Sequence, residues 1–468
     1  MLARSLLAFT VVLAGVGVGA QRGQPAAGQA IAFQAGLAEV DITPPLGYRL
    51  DGNFSERLAT GQRDPLKAKA LVFRQGPTWA AIVATDLLGM PQSMSSEVRA
   101  LAAARTGIPA ANIAITATHT HTGPMFAGER ARVFSAQAAA KFGKDPLAAV
   151  KYPETLTAKL VEVIVAAHAQ VSPATMTFAR TEEDRVSFNR RFHMKDGTVR
   201  FNPGVQNPEI VRAAGPIDPD LPLVLFSKQN KPVGSLTVFA LHLDTTGGTE
   251  YSADYPGHLA NELRREFGDG FLSVFGTGTC GDINHIDVTG ERRYAAPLIG
   301  RQLGVSLLAT RIRQPLADPS LAVLSTRLAL PLRRVTAEQA AAAQARLGDV
   351  GRSGVPFLTQ VEIVTTLDLA RRGSTLEAEV QVIRLHPDVA VVLLPGEVFV
   401  ELGLAIKRAS PFRHTLVIEL SNDNPAYIPT EKAFREGSYE TVNSRIEPGG
   451  GEKLVEAAVE LLTRLAVK

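Results

Sequence analysis

Apolar positions along this chain fall into two repeating patterns. Short continuous apolar runs at 79–88, 113–117, 234–243, 272–275 and 389–394 read as strands buried on both faces. Runs at 36–45, 175–180, 321–331, 377–385 and 415–420 read as further strands, with 377–385 and 389–394 forming a pair. Between the strands, apolar residues recur at helical spacing. The clearest case is 153–169, where Leu156, Leu160, Val163 and Ile164 share a face; 93–106, 256–267, 294–313, 336–347, 398–409 and 452–466 are also predicted helices. Strand and helix alternate, which predicts an α/β fold: large mixed β-sheets flanked by helices in a single large catalytic domain. Residues 195–222 are rich in Gly, Pro, Asn and Asp and are expected as one long loop, the kind of connection that usually carries function or moves.

Residues able to do chemistry collect where these strands end. The run 113–117 leads into Thr118-His119-Thr120-His121-Thr122-Gly123-Pro124, and alternation along a strand would turn both imidazoles toward one pocket. The Gly-Pro then turns the chain away and leaves the pair at an edge. Two readings are open for it: metal ligands, since neutral imidazole is the commonest such ligand, or hydrogen-bonded surface histidines. Asp86 ends its own run as either a functional carboxylate or a turn cap. His242 and Asp244 close the run 234–243, Pro395-Gly396-Glu397 closes 389–394, and 276–285 is a glycine-rich turn holding Cys280, Asp282, Asn284 and His285. Its glycines permit close backbone approach to a ligand, although such turns are common after strands. Arg190-Arg191 beside Asn189 suit either an anionic or carbonyl group or surface ion pairs. His168, at a helix C-terminus, reads as a solvated histidine favoured by the helix dipole, and His258, within a helix, reads as structural.

Composition narrows the choice of partners. With 45% hydrophobic residues in 468, the chain can bury a large core. Forty-nine basic residues against 46 acidic leave too small an excess to draw nucleic acid or an anionic membrane. Cys280 is the only cysteine, so no internal disulfide can form, and one thiol is a poor metal site. Residues 1–20 carry Arg4, an apolar run from Leu6 to Val18, and small residues at Val18 and Ala20, the pattern of a cleaved signal peptide. That run is shorter than the roughly 20 residues a membrane span needs. A linker at 21–34 leads to a hydrolase domain at 35–468, and the mature protein is expected to be secreted or periplasmic, with no transmembrane segment.

Together, Asp41-Ile42-Thr43-Pro44-Pro45, the 118–124 motif, His242 with Asp254-Tyr255-Pro256-Gly257, Gly281-Asp282, Pro395-Gly396-Glu397, and Tyr427 with Tyr439-Glu440 resemble the catalytic domain of the neutral ceramidases. Those are exported zinc amidases that cleave the N-acyl bond of ceramide. The resemblance runs in order from about residue 35 to 445. It implies one zinc held by His119, His242, Glu397 and Tyr427, with His121 as general acid/base and Arg190 and Tyr439 contacting the substrate carbonyl or the developing oxyanion.

The chain departs from that pattern in two places. Where the family carries serine and then proline near the metal, this chain has Asn284 and His285, and asparagine offers no hydroxyl nucleophile. Metal-activated water is therefore the expected nucleophile, with Asn284 orienting the water or the carbonyl. The ceramidases also carry a C-terminal β-sandwich domain, whereas this chain ends at Lys468, directly after the catalytic region. Both departures shift the expected substrate from ceramide itself to an N-acyl amide in a wider sense, lipid or related. The alternatives are a non-catalytic zinc-containing relative that binds lipid or glycan, and a hydrolase of non-lipid amides or esters.

Overall fold

A computed structural model describes residues 32–467 except 293 and 311. The expected signal peptide at 1–20 and most of the linker at 21–34 lie outside the described residues. Three mixed sheets make the frame. The first orders Ile113–Ala117, Thr78–Thr85, Lys67–Gln75, Phe33–Asp41 and Ser172–Pro173. The second orders Leu272–Thr277, Lys231–Phe239, Asp220–Lys228, Thr175–Glu182 and Gln314–Pro315. The third orders Ala322–Pro331, Thr375–His386, Val389–Leu393 and His414–Ile418.

Each sheet is antiparallel except for one pair. Thr78–Thr85 with Ile113–Ala117, Lys231–Phe239 with Leu272–Thr277, and Val389–Leu393 with His414–Ile418 run parallel. A parallel pair needs a crossover, and each has a helix in it: Gln92–Thr106, Tyr255–Phe267 and Val400–Ala409 respectively. The expected α/β class is therefore present, as the same parallel unit built three times.

Continuous apolar strands need cover on both faces, and the sheets cover one another. Leu71 and Ile82 of the first sheet, Phe226 and Leu236 of the second, and Val391 and Ile418 of the third belong to one buried cluster. Helices take the other faces. Leu156, Leu160 and Ile164 of Tyr152–Ala169 pack with Val72, Val83 and Ile115, and Leu454, Leu461 and Leu462 of Gly450–Ala466 pack with Val380 and Val382. Gly36 lets the first of these helices lie directly on its strand, because a β-carbon there would stand 2.0 Å from the Ala167 carbonyl oxygen. Among the described residues no helix is long and apolar enough to cross a membrane.

Among the long elements that escape the sequence pattern, strand Asp220–Lys228 begins inside the expected loop, and its apolar run Leu223–Phe226 is short. Strand Lys67–Gln75 changes from Lys-Ala-Lys-Ala to Leu-Val-Phe, so neither alternation nor a continuous run lasts long enough to register. Helix Phe357–Arg371 carries Val361, Ile363, Val364, Thr365 and Thr366, β-branched residues that disfavour a helix, and burial of Val361, Ile363, Val364 and Leu367 overrides that preference. The expected loop at 195–222 contains the short strands Val199–Phe201 and Ile210–Ala213, which flank Arg191–Met194 and are too brief to show a period. His168, expected in solvent, is half-buried with its ring 4.7 Å from that of Trp79.

Helix Gln92–Thr106 is tied to the third sheet by Arg99, whose Nη1 and Nη2 reach Glu379 Oε2 and Oε1 at 2.7 and 2.8 Å, both side chains buried. Deleting one partner strands the other charge in the interior, at a cost of about 3–5 kcal/mol. Glu379→Ala is expected to lower the unfolding free energy by about that amount in a urea titration; a loss below ~1 kcal/mol, the range of an exposed pair, would show that the contact does not tie the sheets.

Candidate metal centre and active site

The parallel strand pairs bring their C-terminal ends toward one place, the usual position of sites in open α/β sheets. After Ile113–Ala117 the backbone leaves the sheet. His119 has φ 75°, in the left-handed region that a β-carbon disfavours, and its N–H donates to the Leu87 carbonyl at 2.9 Å. His119 and His121 therefore share a pocket through a turn and not through strand alternation, since the strand has ended at Ala117; their rings lie 5.1 Å apart at 78°. His121 is fixed by its backbone, donating to the Leu243 carbonyl at 3.0 Å and accepting from Arg57 Nη2 at 2.7 Å. Gly52 passes so close that a β-carbon there would meet His121 at 2.6 Å. His242 follows Lys231–Phe239. Glu397 lies opposite Tyr427 where Glu397–Val398 pairs with Tyr427–Ile428, so one short register places two of the sequence candidates together.

His119 Nε2 is 3.0 Å from His242 Nε2, and Glu397 Oε2 is 3.3 and 3.8 Å from the two nitrogens. All three side chains are buried. Each Nδ1 faces a backbone carbonyl, that of Leu88 at 2.6 Å for His119 and that of Cys280 at 3.4 Å for His242. A carbonyl oxygen only accepts, which assigns the proton to each Nδ1 and leaves a lone pair on each Nε2. Glu397 Oε2 has no hydrogen-bond partner, and neither has the buried Nε2 of His121. Lone pairs and a carboxylate oxygen facing one another repel unless a cation lies among them. The ligand nitrogens of His119, His121 and His242 all fall within 4.8 Å of one another, so these imidazoles can hold a metal; with Glu397 the nitrogen and oxygen donors suit zinc.

Electrostatics follow from burial. It lowers His121 to about 3, with His119 adding to the effect, and it takes His242 well below 6.5, with Arg190 next in importance. Burial opposes ionisation of Glu397, but His119, Tyr427 and Arg190 outweigh it and hold the carboxyl at about 2. Burial likewise pushes the Tyr427 hydroxyl well above 10, against the pull of Arg190.

The other sequence candidates separate. Arg190 is buried and donates to Glu440 Oε1 at 3.0 Å, the Gly281 carbonyl at 2.7 Å and Tyr427 Oη at 3.0 Å. Tyr439 stands beside Tyr427 with ring centroids 5.3 Å apart, and its hydroxyl oxygen accepts from Asn443 Nδ2 at 3.2 Å. Asn284 is buried away from the cavity lining, donating to Asn202 Oδ1 at 2.8 Å and accepting from the Ile286 N–H at 3.0 Å. His285 Nδ1 meets Asp244 Oδ1 at 3.2 Å.

Sequence reasoning passed over Arg57 and Glu419. Glu419 is fully buried; its Oε2 accepts from the N–H groups of Val398 at 2.7 Å and Cys280 at 3.2 Å, joining the segment that carries Glu397 to the one behind His242. A lone acid closing the apolar run 415–420 was the available signal. Over the centre opens a cavity of about 150 Å³, whose wall includes Phe54, Leu88 and Met90 as well as Asp51, Arg130 and Arg372.

A family model described as neutral/alkaline non-lysosomal ceramidase, N-terminal, matches residues 33–282, which include His119, His121, Arg190 and His242. Among solved structures, neutral ceramidase from Pseudomonas aeruginosa has a similar fold, with a TM-score of 0.68 at 20% identity over 94% of this chain and 76% of that one. A ceramidase complexed with C2 gives a TM-score of 0.68 at 19% identity, with the same coverage of 94% and 76%. The comparison with curated proteins gives no match. With more than half its length matched, the chain belongs to the neutral/alkaline non-lysosomal ceramidase family and is a ceramidase-like hydrolase.

Proposed function

We propose that residues 35–468 form a zinc-dependent hydrolase that cleaves an N-acyl amide with metal-activated water, and that His119, His242, Glu397 and Tyr427 hold the zinc. The observation that carries this reading is the buried convergence of two unprotonated imidazole nitrogens on a carboxylate oxygen that no donor reaches. Bound there, zinc supplies a Lewis acid that polarises a carbonyl and lowers the pKa of water to about 7. Tyr427 suits the fourth position, since it lies opposite Glu397 and Arg190 Nη2 donates to its hydroxyl oxygen.

His121 Nε2 takes the proton of the attacking water and passes it to the amide nitrogen as the C–N bond breaks, so that a carboxylate and an amine leave. Tyr439 turns its O–H toward the carbonyl oxygen, because its own oxygen already accepts from Asn443. Arg190 and Asn284 act by position, Arg190 through Tyr427 and Asn284 through the segment at Asn202. The N-terminal pattern supports export, with the enzyme working as a secreted or periplasmic protein. The charged wall and small volume of the cavity favour, as a second reading, a hydrolase of compact non-lipid amides or esters.

His119→Ala and Glu397→Ala are each expected to lose the zinc that the purified chain carries, read by atomic absorption; full occupancy in both would overturn the ligand assignment. His121→Ala is expected to keep its zinc and to lose about 10²–10⁴-fold in kcat on an N-acyl amide. An unchanged rate would remove His121 from proton transfer.

A further inference from the structure

An acid with no base beside it lies where the three sheets meet. Glu419 is fully buried one residue beyond the strand His414–Ile418, and among the described residues no lysine, arginine or histidine pairs with it. Burial pushes its carboxyl well above 4.5, and the charge of Glu397 adds to the effect. An apolar side chain would carry no such penalty, so the bonds that the carboxyl accepts show what it does there.

The backbone of Glu419 joins the sheets. Its N–H donates to the Thr277 carbonyl at 2.9 Å, at the end of Leu272–Thr277 in the second sheet, and its carbonyl accepts from Thr116 Oγ1 at 3.0 Å, in Ile113–Ala117 of the first. The side chain then reaches two segments that carry candidate ligands. Oε2 accepts from the Val398 N–H at 2.7 Å, directly after Glu397, and from the Cys280 N–H at 3.2 Å. Oε1 accepts from Cys280 Sγ at 3.1 Å. The carbonyl of this same Cys280 faces His242 Nδ1 at 3.4 Å. One carboxyl oxygen is therefore shared by the backbone that presents Glu397 and the backbone that orients His242.

We propose that Glu419 is a positioning residue for the metal centre, its shared oxygen setting the spacing of His242 and Glu397 and so the affinity of the site for zinc. The inference rests on the zinc reading and adds to it a residue that touches neither metal nor substrate. Partners that orient ligands in this way commonly govern metal affinity by about 10–100-fold. The need is for an acceptor at the place of Oε2 and not for a charge. Glutamine supplies that acceptor and turns its amide nitrogen to the Cys280 sulfur, whereas leucine fills the space and accepts nothing.

Zinc affinity, read by competition with a chromophoric chelator, compares the wild type with Glu419→Gln and Glu419→Leu. The visible spectrum of the cobalt-loaded chain reports the ligand arrangement in each. Glu419→Gln is expected to keep the wild-type spectrum and an affinity within about three-fold, and Glu419→Leu to bind about 10–100-fold more weakly with altered bands. The melting temperature of each variant checks that it folds. Should Glu419→Leu fail to fold, Glu419→Asp, which draws the oxygen back by one methylene, carries the same expectation. Wild-type affinity in a folded Glu419→Leu or Glu419→Asp, or a Glu419→Gln as weak as they are, would overturn the proposal while leaving the zinc reading intact. A wild type that binds no zinc would overturn the zinc reading and the proposal with it, so the two failures are distinguishable.

Discussion

Two imidazole nitrogens with their lone pairs 3.0 Å apart, faced by a carboxylate oxygen, form the constraint on which the rest of this structure depends. Left alone, such a cluster works against folding, because each polar atom has given up water without gaining a donor. The surroundings hold it in place regardless. Carbonyls of Leu88 and Cys280 set the tautomers, His119 accepts a left-handed backbone, and Glu419 joins the segments behind His242 and Glu397. Strain and desolvation of this kind persist where a ligand repays them.

The architecture explains how three distant parts of the chain reach one point. Each sheet contains one parallel pair crossed by a helix, and at the C-terminal ends of those pairs lie His119, His242 and Glu397. The common core of the sheets fixes their relative placement, so His119 and Glu397, more than 270 residues apart in sequence, meet at 3.3 Å. Helices that close the outer faces, fastened by contacts such as Arg99–Glu379, keep water from the other side of the sheets.

Much of this was legible before the fold. His119, His242 and Glu397 each end a readable apolar run, and that is why their neighbourhood could be found from pattern. The geometry was less accessible. His119 and His121 share a pocket by a turn that no alternation rule describes, and the pairing of Glu397 with Tyr427 rests on a two-residue register too short to leave a period. Arg57 and Glu419 act through partners far along the chain, and helix Phe357–Arg371 forms against its own local preference because the core needs it. Local pattern identifies elements; long-range pairing of charges appears only when the sheets come together.

The most direct test of the central claim is X-ray absorption at the zinc edge of the purified chain. The account predicts a first shell of nitrogen and oxygen at about 2.0–2.2 Å with the outer scattering of imidazole. A sulfur scatterer near 2.3 Å, which would bring Cys280 onto the metal, or an all-oxygen shell without imidazole would contradict it.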